Sequence, residues 1–292
     1  MEKENKFLTG EAHFIKLIEK NTSSLLFETE DGQGVVCNES DVESIDNYEL
    51  GEEYSMFIYP SRSGKLFASP YLPEVMVGTY GFAKVVKVTD EGAGLDIGIS
   101  REILLVAEDL PKLRSVWPVE GDELFVTLRR DYSGQLFARL ATETIVESMY
   151  SKGEKSLFNT EIVAYPYRLM KVGTFLLSKE GYKIFVHESE RKKEPRLGQE
   201  VSVRIIGIKD DGSMNASFLP RAHERIDDDS QAILDYIENN NGYCEYSDKS
   251  KPEDIKAVFG MSKGSFKKAA GRLFKNKKIT IEEDGLYKRK GR

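Results

Sequence analysis

The chain has 292 residues, 40% hydrophobic and 31% charged, which is long for one domain and apolar enough for several small cores. Its longest apolar run, Ile103-Leu104-Leu105-Val106-Ala107, falls far short of the roughly 18 residues a membrane helix needs, and no leader core follows the charged start Met1-Glu2-Lys3-Glu4-Asn5-Lys6. The two cysteines, Cys37 and Cys244, form no CxxC pair, so a soluble protein of a reducing cytoplasm is expected, with neither a disulfide framework nor a zinc site.

Strands are predicted first at Ala12–Glu19, Ser24–Glu28 and Gly34–Cys37, with Asp31-Gly32 turning between the last two. A hairpin follows, from Gly51 through Met56-Phe57-Ile58-Tyr59, a turn ending at Gly64, and Lys65-Leu66-Phe67-Ala68. The same order then recurs. Thr79–Thr89, Ala93–Ile97 and Glu102–Val106 lead into a hairpin that opens at Gly121, turns at Gly134 and ends on Gln135-Leu136-Phe137-Ala138. A third set comprises Glu161–Val163 with its continuation, Gly173–Leu177 and Tyr182–His187, then a hairpin from Gly198 through Gly212 to Ser213-Met214-Asn215-Ala216. From leading glycine to alanine the three hairpins have offsets of 17, 17 and 18, and the leading glycines stand 70 and 77 apart. That periodicity marks three copies of one module. Five short strands in each predict a Greek-key OB barrel, with a small SH3-like barrel as the alternative.

Past the third copy the pattern turns helical. Asp227-Asp228-Asp229-Ser230 suits a helix start because carboxylates favour the N-terminal dipole, and Ala232, Ile233, Tyr236 and Ile237 continue at helical spacing until Asn239-Asn240-Asn241-Gly242. Pro252 opens a second helix that Gly260 stops, and Ser262 caps a third over Lys263–Lys275. Ile279–Glu282 and Leu286–Lys288 flank Asp284-Gly285 as a hairpin. Three helices and a hairpin predict a winged helix. On the third helix Phe266, Ala269, Ala270, Leu273 and Phe274 share one side, while Lys268, Arg272 and Lys275 share the other. A basic outer face there suits phosphate binding, although such a face can also be merely solvated. The expected fold is therefore multidomain and mainly β, with S1-like barrels at 1–72, 73–145 and 146–225 and an α+β winged helix at 226–292.

In the third copy, Val172-Gly173-Thr174-Phe175-Leu176, Ile184-Phe185-Val186-His187-Glu188-Ser189 and Leu197-Gly198-Gln199-Glu200-Val201 resemble the S1 domain, an RNA-binding OB fold. The pattern of that family runs Phe-Gly-Ala-Phe-Val, then Gly-Leu-Val-His-x-Ser, then Val-Gly-x-x-Val. Val172 and Ile184 depart from it, at the first aromatic and at the glycine before the hydrophobic pair. The resemblance implies that Phe175 and His187 touch RNA, whereas copies one and two lack the pair and are degenerate. Strand alternation puts Phe185 beside His187 and Val186 inside, and exposed aromatics on such a surface can stack bases. The alternative is that Phe175 and Phe185 are barrel core and His187 a satisfied polar residue. Arg168, Lys171 and Arg204 are candidate phosphate contacts, as are Arg191, Lys192, Lys193 and Arg196 if that run is not simply a solvated loop.

The net charge of −7 argues against nucleic acid only if it is spread evenly, and it is not. Residues 1–70 carry −8, 71–142 −3, 143–226 +2, 227–250 −6 and 251–292 +8. Binding is thus expected in the C-terminal half, with the acidic N-terminal barrels as scaffold or protein-contact modules. Catalysis and cofactors are not expected. His13, His187 and His223 lack metal-ligand spacing, no GxxxxGK[ST] or GxSxG motif is present, and Gly92-Ala93-Gly94 lies between strands as turn glycines do. Three S1-like copies and a winged helix resemble the bacterial conserved virulence factor B family, which implies a cytoplasmic RNA-binding regulator of gene expression. Single-stranded RNA is the favoured partner. A DNA-binding regulator and a scaffold on the ribosome or a degradation complex are the alternatives.

Overall fold

A computed structural model describes residues 9–220 and 222–289, with only the backbone helix given for 222–227. The charged start at 1–6 and the side chains of His223 and Asp227 lie outside it. Three closed five-stranded barrels come first. Strands β1 (Ala12–Lys20), β2 (Ser24–Glu28), β3 (Gly34–Asn38), β4 (Glu53–Pro60) and β5 (Leu66–Ser69) close in the order β1-β2-β3-β5-β4. The second barrel joins β6 (Gly81–Thr89), β7 (Gly92–Asp96), β8 (Ile103–Val106), β9 (Glu123–Arg130) and β10 (Leu136–Leu140). The third uses β11 (Glu161–Met170), β12 (Gly173–Leu177), β13 (Lys183–His187), β14 (Val201–Ile208) and β15 (Met214–Ser217).

In every barrel the third strand pairs in parallel with the fifth, the OB arrangement, and the SH3-like alternative falls away. Each first strand is long and carries a bulge, at Leu17/Glu19, Val85/Lys87 and Pro166/Arg168. A bulge bends the strand, so one strand can pair with both the second and the fourth and close a small barrel. The hairpin turns need positive φ, and Gly64, Gly134 and Gly212 supply 86°, 82° and 85°. Alternation along the strands then points Leu17 and Phe27, Val85 and Leu95, and Ile184 and Val186 into the three cores.

The barrels are not independent beads. Phe57 and Tyr59 of β4 are buried among the second barrel's core residues, as is Leu197 from the loop before β14. Backbone bonds tie that loop down: Leu197 N–H to Val116 O at 3.0 Å, and Gly198 N–H to Pro166 O at 2.8 Å. Beside it, Arg196 donates through Nε and Nη2 to the carboxylate of Asp122 at 3.1 and 3.0 Å. The aromatics Phe82, Phe125 and Tyr165 fill the seam between the second and third barrels. A helix absent from the sequence reading, α1 (Glu143–Met149), packs Val146 into the same seam; seven residues are too few for a periodic signal. The barrels form one compact unit up to Phe218, and a second begins at Leu219.

The second unit is the winged helix: α2 (Ala222–Asn239), α3 (Pro252–Phe259), α4 (Lys263–Lys275), and strands β16 (Tyr243–Cys244), β17 (Ile279–Glu282) and β18 (Gly285–Lys288) in the order β16-β18-β17. Helix α2 starts well ahead of the acidic run expected to open it and before the expected domain start at 226, directly after Pro220-Arg221. Proline fixes an extended entry and cannot extend a helix backwards, which is the stronger signal. The other helix ends are as expected: Ser262 Oγ accepts the Ser265 N–H at 3.1 Å, and Gly260 stops α3 at φ 68°. Phe266, Ala269, Ala270 and Leu273 are buried, but Phe274, expected beside them, is 54% exposed in the last turn. The two-residue β16 was too short to read from alternation.

Candidate nucleic-acid interface

The third barrel carries an aromatic strip on its outer face. Its strands pair so that Arg168, Phe175, Phe185 and Asn215 lie opposite one another across β11, β12, β13 and β15. The Phe175 and Phe185 rings are 4.8 Å apart, Tyr167 stands 6.3 Å from Phe175, and His187 meets Phe185 edge-on at 6.4 Å. The guanidinium of Arg168 is 5.7 Å from the Phe175 ring. Leu176, Ile184 and Val186 fill the barrel, while Phe175 and Phe185 are half-buried outside it and His187 is exposed. Phe175 and Phe185 are therefore not barrel core. Gly173 keeps the strip flat, because a Cβ there would meet two Phe185 ring atoms at 2.6 Å and Val186 O at 2.4 Å.

Local bonding orients the imidazole. His187 Nδ1 accepts the Ser189 N–H at 3.2 Å and lies 2.8 Å from Ser189 Oγ. Accepting at Nδ1 selects the neutral tautomer with the proton on Nε2, which leaves an N–H donor at the exposed edge of the strip. Glu143 of α1 braces the other end. Its carboxylate accepts from Lys183 Nζ at 2.5 Å and from the Tyr167 hydroxyl at 2.8 Å, and lies 3.4 Å from Arg168 Nη1. Burial pushes this carboxyl up, but the hydrogen bonds from Lys183 and Tyr167 outweigh it and hold the group below the ordinary carboxylate range.

The other expected contacts divide. Lys171 is exposed in the turn from β11 to β12, next to the strip. Arg204 lies on β14, opposite Glu161 and Ser217, and is half-buried and has a partner. Arg191 is nearly buried, bonded to Thr174 and paired with Glu194 at 3.1 Å, and Arg196 is held by Asp122; only Lys192 and Lys193 of that run are exposed. On α4, Lys268 and Lys275 are exposed, whereas Arg272 is half-buried and has a partner. Asn215 was missed, since only the strand register brings it to the strip, and so was Tyr167, which is buried beside Phe175. The pairing also explains why copies one and two are degenerate: Gly94 and Leu104 face each other where Phe175 and Phe185 do, and Leu26 and Val36 do so in the first barrel.

Burial pushes the Cys37 thiol up to about 12 and that of Cys244 to about 11, so neither is a thiolate at neutral pH. Among the described residues no helix is long and apolar enough to cross a membrane.

Comparison with known proteins adds to this geometry. Residues 80–139 match the family described as CvfB first S1-like domain, 146–220 the second domain of virulence regulatory factor CvfB, and 231–287 the CvfB-like winged helix domain. Conserved virulence factor B of Staphylococcus saprophyticus is 53% identical over 285 residues, covering 97% of this chain and 95% of that protein. The protein of the same name from Staphylococcus aureus strain MRSA252 is 50% identical over 279 residues, covering 95% and 93%. A crystal structure from Streptococcus pneumoniae, described as a multidomain protein with nucleic acid binding domains, is 32% identical with a TM-score of 0.67, covering 96% of this chain and 98% of its own.

Proposed function

This chain belongs to the conserved virulence factor B family, and from that premise we propose that it binds single-stranded RNA and regulates gene expression after transcription. The third barrel and the winged helix carry the binding, and the two N-terminal barrels, taken as 1–72 and 73–145, serve other contacts. The observation that carries the reading is the strip of Phe175, Phe185 and His187 beside Arg168, with Tyr167 buried against Phe175 as its support. Half-exposed rings offer π-faces to unstacked bases, and a flanking cation suits the backbone. A duplex hides those faces. The similarity to a pneumococcal protein with nucleic acid binding domains supports the same class of ligand.

The exposed lysines of α4 favour a second reading, a DNA-binding winged helix. Against it, α4 contains no Asn or Gln, the usual partners of adenine in a major groove. Binding of single-stranded RNA, single-stranded DNA and duplex DNA at matched salt separates the two, with RNA expected tightest. In the same assay, changing Lys268 and Lys275 to Gln should flatten the slope of log affinity against log salt by about 0.7 per lost contact, and weaken all RNA sequences alike. A wild type that prefers one duplex DNA sequence, with that preference lost in the double variant, would move the function to DNA.

A further inference from the structure

We propose that a strand seated on the third barrel continues across the second, along a track of arginines and one aromatic ring that ends where the first and second barrels meet. The inference rests on the single-strand reading of the third barrel and extends it to a barrel that is acidic overall, at −3 over residues 71–142.

The track starts at Arg168. Its guanidinium lies over the Phe175 ring, and the same residue lines an open cleft of about 590 Å³ together with Arg139 of β10. Arg139 and Phe137 are two apart on β10 and so share its outer face. The guanidinium of Arg129 lies 5.7 Å from the Phe137 ring, repeating the pairing of Arg168 with Phe175. Phe137 in turn lines a second cleft of about 590 Å³, which holds Lys87, Arg101 and, from the β4–β5 turn of the first barrel, Arg62. The two clefts share no lining residue, and the outer face of β10, with Arg139 in one and Phe137 in the other, links them.

Three of the six cations on the track, Arg168, Arg129 and Lys87, are paired with carboxylates, and the other three are not. Of the carboxylates lining the clefts, Glu102 is paired with Lys87, Asp109 with Arg129 at 3.5 Å, and Glu143 with both the largely buried Lys183 and Arg168, the latter at 3.4 Å. Glu91 is the remaining one. Arg62, Arg101 and Arg139 have no ion pair among the described residues, and Arg101 donates only to neutral acceptors, Pro60 O and Gln135 Oε1. Burial and the neighbouring Arg62 cation both push the Arg101 guanidinium down, as expected of a cation without a counter-ion. A chain of phosphates supplies that counter-charge, and Phe137 gives one further base a face to stack on. A peptide carboxylate would satisfy a single arginine but offers neither the repeat nor the planar base.

The test compares oligo(U) RNA of 5 and 20 nucleotides on the full-length protein and its Arg62→Gln/Arg139→Gln variant. Both side chains are exposed, so folding should be preserved. An OB barrel covers roughly 4–16 nucleotides, so the short strand fits the third barrel alone while the long one reaches the second. The wild type should bind the 20-mer more tightly, and the variant should lose about tenfold on the 20-mer, with a flatter salt slope, and nothing on the 5-mer. An unchanged 20-mer, or equal losses on both lengths, overturns the track and leaves the third-barrel site standing. A wild type that binds neither length overturns the third-barrel reading itself.

Discussion

Single-stranded RNA affinity is expected to fall by about 1–3 kcal/mol when Phe175 and His187 are both replaced by alanine, the range for one lost base stack. At about 1.4 kcal/mol per decade this is a loss of roughly fivefold to 150-fold, readable by fluorescence anisotropy at fixed salt. Phe175 is central to the strip, with Tyr167 at 6.3 Å on one side and Phe185 at 4.8 Å on the other. Its ring is also half-buried, so truncation removes packing as well as a stacking face. Phe175→Leu separates the two effects. Leucine keeps apolar volume against Phe185 but has no π-face, so that variant should melt near the wild type and still bind weakly. His187 contributes its outward Nε2–H, and His187→Ala alone should cost less than the Phe175 change. Full affinity in a folded Phe175→Leu/His187→Ala protein would return both residues to packing roles.

Much of this site was legible in the residues themselves. Hairpin spacing identified three barrels, and the step from Phe175 to His187, read with strand alternation, put Phe185 and His187 on one outer face. The rest depended on register and on contacts far apart in sequence. Asn215 faces Phe185 only because β13 and β15 run parallel in that register, and Tyr167 is buried against Phe175 where a bulge shifts β11 between Pro166 and Arg168. Charge counting located the basic C-terminal half correctly, yet it could not tell solvated cations from engaged ones. Arg191, Arg196, Arg204 and Arg272 all count as positive, and all four have partners within the fold. Conversely, the acidic totals of the first two barrels conceal Arg62, Arg101 and Arg139, which the fold gathers at the clefts of the second. Helix starts show the same limit: an acidic run is a weak dipole signal, and the proline ahead of it decided where α2 begins.

Arg196 gives the sharpest test of that distinction, because its position in a basic loop suggests phosphate binding and its contacts suggest a brace between barrels. The side chain of Asp122 is only 7% exposed, and it accepts from Arg196 Nε and Nη2 and from the Val119 N–H at 2.8 Å. Removing the arginine leaves a buried carboxylate with one backbone donor. Breaking a buried pair costs about 3–5 kcal/mol, and the partial exposure of Arg196 puts the expected loss for Arg196→Ala near the low end, about 3 kcal/mol. For a unit of this size that corresponds to a fall of roughly 6–12 °C in Tm. Adding Asp122→Asn removes the uncompensated charge and keeps the bond from Val119, so the double variant should recover a good part of the loss. Calorimetry of the four proteins of this cycle reads the coupling directly. RNA affinity of folded Arg196→Ala at 25 °C should stay within about threefold of the wild type, since two hydrogen bonds already occupy the guanidinium. A variant that melts like the wild type but binds RNA tenfold more weakly would make Arg196 a phosphate contact and remove the brace.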